Sequence, residues 1–111
     1  MEKQEALAAL AAIAHETRLD VFRRLVQAGP TGLAAGALAD AVAVPAATLS
    51  FHLKELKSAR VVRCRREGRS LIYSPAFETM NALLAFLTEN CCAGGAACGP
   101  PRRRAAKRGT R

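Results

Sequence analysis

No run of about 18 apolar residues occurs in this 111-residue chain, so no segment offers the length a membrane-spanning helix needs. The first residues lack a charged region leading into an apolar stretch and a cleavage site. No Ser/His/Asp set, phosphate-cradling glycine loop or paired carboxylates stand out, which argues against an enzyme and against a catalytic cofactor. No acid stands between Gly99 and Arg111. Together these absences predict a soluble cytosolic protein that is not an enzyme and has no membrane partner.

Half the residues are apolar, enough for one compact domain of ordinary size. The net charge of +8 is uneven: Arg102, Arg103, Arg104, Lys107, Arg108 and Arg111 lie in the last thirteen residues, leaving eleven basic against nine acidic residues elsewhere. With Pro-Pro, Ala and Gly and no large apolar anchor, 99–111 reads as a disordered basic tail. A second concentration lies inside the domain, where residues 54–69 hold seven Lys/Arg against Glu55 and Glu67.

Leu7, Leu10 and Ile13, and then Leu19, Phe22, Leu25 and Val26, recur at helical spacing and predict two amphipathic helices, the second ended by Ala28-Gly29-Pro30. The stretch LAAGALADAV, apolar at Leu33, Leu38 and Val42, predicts a short third helix. Pro45 suits a first helical position, and Leu49, Leu53 and Leu56 make one stripe of a fourth helix. Two short helices joined by a tight turn outline a helix-turn-helix. The stripe directs Ala47, Thr48, Ser50, Phe51, His52, Lys54 and Glu55 outward. Of these, Thr48, Ser50 and His52 can bond a base edge, and Lys54 can neutralise a phosphate.

Alternation through VVRCRREGRSLIYS, with Glu67-Gly68 as turn residues, predicts a β-hairpin with an arginine-rich tip. A basic hairpin directly after a helix-turn-helix is the order of a winged helix, with Arg65, Arg66 and Arg69 set against the DNA backbone. Cys64 reads as a small core residue and His15 as a local hydrogen-bonding residue. Phe77, Met80, Leu83, Leu84 and Leu87 then give a last helix a broad apolar face. Together with Leu7 and Leu10, its Phe77, Met80, Leu84 and Leu87 predict a dimer interface. The fold class is mainly α with a small β-hairpin, over residues 1–90.

The segments HETRLDVFRRLV, LADAVAVPAATLSFHLKELKSARVV and RREGRSLIYS together resemble the ArsR/SmtB family of metal-sensing repressors over roughly residues 5–90. The resemblance implies a homodimeric winged helix, paired through its first and last helices, that binds a palindromic operator and leaves it when an inducer binds. By position, Pro45 to Leu56 is then the recognition helix and Val61 to Tyr73 the wing. Ala46, Ala47 and Phe51 stand where polar or Arg side chains are frequent in the family, so no operator sequence follows.

Inducer sites in this family vary in place. Where arsenic-sensing members carry Cys-Val-Cys, this chain has Ala34-Ala35-Gly36, and its last helix lacks the histidines of the zinc sensors. What remains is the segment 91–98, with Cys91, Cys92 and Cys98 joined by Ala and Gly alone. Clustered cysteines in a reducing cytosol point to metal or redox chemistry. The glycines allow a sharp bend, and three soft thiolates suit trivalent arsenic or antimony, whereas structural zinc takes four ligands. The expected function is a repressor released by that metalloid. A redox- or transition-metal-responsive regulator using the same cysteines is the alternative.

Overall fold

Glu5 fixes the start of the first helix, α1 (Lys3–Ile13), by accepting the Glu2 amide at 2.8 Å. The helix turns its small residues inward. Ala6, Ala9 and Ala12 are buried, while Leu7 and Leu10 are exposed. A helix that packs its alanines on the core and its leucines in water has a second apolar face to cover. In α2 (Glu16–Ala28) the His15 ring supplies the cap, its Nδ1 accepting the Thr17 amide at 3.1 Å. Val21, Phe22 and Leu25 face the core.

The computed structural model describes residues 1–94, and the predicted basic tail 99–111 and Cys98 lie outside them. After α2 come a single 3₁₀ turn (Gly29–Thr31), β1 (Leu33–Ala34), α3 (Ala35–Val42), α4 (Ala46–Ser58), β2 (Val62–Glu67), β3 (Ser70–Pro75) and α5 (Phe77–Thr88). The strands form one antiparallel sheet in the order β1-β3-β2. Strand β1 corrects the sequence reading, which placed Leu33 and Ala34 in the third helix. They pair with Tyr73 and Ile72 instead. Gly32 makes this possible: at φ +74° its backbone lies so close to β3 that a Cβ would stand 2.3 Å from the Tyr73 carbonyl oxygen.

Helix α3 ends in a left-handed residue, Ala43 (φ 58°, ψ 46°). The Val44 amide returns to the Ala39 carbonyl at 3.2 Å and the Ala43 amide to Asp40 at 3.3 Å, a Schellman closure that satisfies the helix end. Pro45 precedes α4 as its cap, not as its first helical residue. Across this break the helix axes turn by 108°, within the range of a helix-turn-helix.

Leu49, Leu53 and Leu56 of α4 are fully buried with Val21, Leu25, Leu38 and Val61, so the core lies directly beneath α4. The hairpin register runs from Val62 opposite Pro75 to Glu67 opposite Ser70. The turn is therefore Gly68-Arg69, one residue later than predicted, with Gly68 at φ +64° supplying the positive angle that a two-residue hairpin requires. Among the described residues no single helix is long and apolar enough to cross a membrane.

Candidate nucleic-acid interface

At about 100° per residue, the buried stripe Leu49, His52, Leu53 and Leu56 leaves Ala47, Phe51, Lys54 and Ser58 along the opposite line of α4. Thr48 and Ser50 flank that line on either side. All six are exposed. Lys54, Thr48 and Ser50 make no side-chain hydrogen bond or ion pair within the described residues, which leaves their donors and acceptors free for a ligand.

His52 does not belong to this face. Predicted to point outward, it is only 7% exposed and turns toward α2. Its Nδ1 accepts from Arg18 Nε at 3.0 Å, and its ring lies 4.6 Å from that of His15. Burial, then the neighbouring His15 and Arg18, lower its pKa below the usual histidine value. A ring that accepts from a guanidinium at Nδ1 must be unprotonated there. His52 is thus a neutral strut between α2 and α4. Phe51 beside it is 55% exposed. The Arg18 guanidinium stands 5.6 Å from the centre of its ring, and the His52 ring meets it edge-on at 5.5 Å.

The wing divides its arginines by role. Arg65 is committed: Nη2 donates to the Thr31 carbonyl at 2.9 Å and Nε to Glu67 at 2.8 Å, tying β2 to the turn after α2. This corrects the expectation that Arg65 projects freely with the other two. Arg66, and Arg69 in the hairpin turn itself, are exposed and carry no ion pair among the described residues. Arg63 pairs with Glu78 at the start of α5, in solvent, where such pairs contribute little. Cys64 faces Tyr73 across the hairpin and is half-buried. Burial and its hydrogen bond to Cys64 push the Tyr73 phenol up.

The predicted dimer residues separate as well. Leu7 and Leu10 of α1, and Phe77, Leu84 and Leu87 of α5, are exposed, and the two helices pack against each other. Met80 turns partly inward and packs against the core. Past α5, Asn90 takes a left-handed turn (φ 58°) and Cys91–Gly94 form a 3₁₀ turn. The Cys91 and Cys92 sulfurs stand 3.6 Å apart. That separation lies within the span of about 4.6 Å that two sulfurs bound to one centre at about 2.3 Å each can have. Among the described residues no group of three or more His, Cys, Asp or Glu is placed to hold a metal.

Sequence reading missed Arg18. It lies 34 residues from His52, and nothing in the local pattern of either helix pairs them.

Residues 13–65 match a helix-turn-helix domain family. The chain is 29% identical over 89 residues to the HTH-type transcriptional regulator YgaV of Escherichia coli (strain K12), spanning 80% of this chain and 88% of that one. Three solved structures share the fold. NolR from Sinorhizobium fredii has 30% identity and a TM-score of 0.61, covering 84% of this chain and 88% of that one. An ArsR-like transcriptional regulator from Rhodococcus sp. RHA1 has 25% identity and a TM-score of 0.69, covering 82% of each. The homodimeric winged helix-turn-helix DNA-binding domain from Mycobacterium bovis has 26% identity and a TM-score of 0.63, covering 86% and 88%.

Proposed function

We propose that this chain, which is similar to HTH-type and ArsR-like transcriptional regulators, is a homodimeric, cytoplasmic repressor that leaves its operator when trivalent arsenic or antimony binds its cysteines. The observation that carries the DNA-binding half is the division of labour around α4. Thr48, Ser50 and Lys54 are exposed and uncommitted, while His52, Arg18 and Arg65 hold the helix and the wing in place. In such a protein the recognition helix enters the major groove, with Arg66 and Arg69 of the wing on the phosphates. DNA-bound half-sites a helical turn apart require a two-fold protein.

The second subunit covers the face left by α1 and α5. Leu7, Leu10, Phe77, Leu84 and Leu87 are each roughly half exposed, so burying the remainder contributes about 1 kcal/mol apiece. Ten such side chains in a symmetric pair give about 10 kcal/mol, comparable to the cost of association.

The metalloid half rests on the Cys91 and Cys92 sulfurs, 3.6 Å apart directly after α5. In the reduced protein Cys98 completes three thiolates, the number a trivalent metalloid takes. Closing the segment around the ion pulls on the end of a dimer helix and so alters the spacing of the two recognition helices. A 100-fold loss of operator affinity needs a coupling of about 2.7 kcal/mol, provided the ion binds the released state better. The same cysteines suit oxidation, and a redox-responsive regulator is the second reading. Mass spectrometry under non-denaturing conditions separates the two. Arsenite should add one metalloid per subunit, lost after cysteine alkylation. No adduct, together with DNA release by oxidant alone, would favour the redox reading.

A further inference from the structure

Phe51 stands at odds with its surroundings. Apart from Met1, the other exposed large apolar side chains among the described residues lie on α1, α2, α5 and the wing, and it is the one such residue on α4. It falls near the midline of the outward face, between Ala47 and Lys54, while the hydrogen-bonding Thr48 and Ser50 sit at the margins of that face. Its phenyl ring is 55% exposed.

The ring is also held. Arg18 from α2 covers it at 5.6 Å and His52 meets it at 5.5 Å, while Arg18 and His52 are themselves bonded at 3.0 Å. Arg18, His52 and Phe51 form a closed triangle joining two helices. A ring braced in this way loses little freedom when something packs on it. The positive charge of Arg18 and Lys54 beside it suits a polyanion, not an apolar peptide.

The major groove of DNA offers one apolar group, the C5-methyl of thymine. We infer that Phe51 is the specificity-determining residue of α4 and reads a thymine methyl in each half-site, with Arg18 as the residue that positions it. This rests on α4 being the recognition helix. It implies that the operator contains a symmetry-related thymine whose methyl, more than its hydrogen-bonding edge, matters to affinity.

The experiment begins with duplexes selected from a random library by the full-length protein, followed by replacement of each thymine with deoxyuridine, which removes the methyl and nothing else. The unaltered protein should lose about fourfold in affinity per half-site at one symmetric position, the equivalent of one buried methyl. Phe51→Ala should bind the thymine duplex more weakly and show no further loss with deoxyuridine. Phe51→Leu should keep part of the discrimination, and circular dichroism should show both variants folded. If the unaltered protein selects a duplex but no deoxyuridine replacement weakens it, or if Phe51→Ala keeps the full penalty, the inference fails while DNA binding by α4 stands. If no duplex is selected at all, the DNA-binding role of α4 fails and takes the inference with it.

Discussion

Arg18 on α2 donates from Nε to Nδ1 of the buried His52 on α4 at 3.0 Å, so the helix proposed to read DNA is tied to the scaffold by a bond that exists only while His52 is neutral. Its pKa lies below the ordinary histidine value, through burial first and then the adjacent His15 and Arg18. With the folded value depressed, the unfolded chain takes up a proton that folded His52 refuses. Stability is therefore full above about pH 6.5 and falls as the pH drops toward the folded value. Urea unfolding between pH 7.5 and 5.5 should show this decline. His52→Asn, whose amide oxygen can accept from Arg18 without titrating, should flatten it. Arg18→Ala should cost about 1–3 kcal/mol at pH 7.5 by leaving Nδ1 buried and unpartnered.

Gly32 and Gly29 share a positive φ but not the same space. At Gly32 a Cβ would meet the Tyr73 carbonyl oxygen at 2.3 Å, whereas at Gly29 nothing lies within 4 Å. Gly29→Ala should cost about 1–3 kcal/mol, for its backbone angles alone (φ 79°, ψ −162°), a region essentially reserved to glycine. Gly32→Ala should cost about 3 kcal/mol or more, since the backbone of β1 must also withdraw from β3. Denaturant midpoints of the two variants check the difference.

The wing arginines should behave as two classes. Arg66→Ala and Arg69→Ala should weaken binding to all duplexes alike, each lowering the slope of log affinity against log salt by about one. Arg65→Ala should instead loosen the wing, because it removes the bonds to Thr31 and Glu67. Its signature is faster hydrogen exchange in β2 without DNA. Salt titrations with unchanged slopes in both Arg66→Ala and Arg69→Ala would take the wing tip out of the interface.

Leu84, 53% exposed on α5, should be central to assembly. Leu84→Glu should sediment as a monomer at micromolar concentration with its fold intact, because the change lies outside the subunit core. A monomeric unaltered protein would remove the dimer from the account.

Periodicity made the helices legible, since Leu49, Leu53 and Leu56 on one stripe and the alternation through Val62–Arg66 both follow from backbone geometry. Strand β1 was not legible: two residues carry no period, and its pairing depends on Gly32 approaching Tyr73, 41 positions away. The outward assignment of His52 failed for a related reason. A buried stripe of leucines does not reveal that a fourth side chain on its margin finds a partner, Arg18, on another helix. Likewise the period marks Leu7 and Leu10 as apolar without saying that alanines would take the core side of α1.

The central claim is that metalloid binding at the cysteines releases DNA, and fluorescence anisotropy of a labelled, selected duplex bound to the reduced protein tests it most directly. Arsenite should lower the anisotropy to that of free DNA. Cys91→Ser, Cys92→Ser and Cys98→Ser proteins should bind the duplex normally and keep it at the same arsenite concentration, while Cys64→Ser, altered in the hairpin, should still release it. A complex that arsenite leaves intact, or that it dissolves equally well in all three serine variants, would contradict the account.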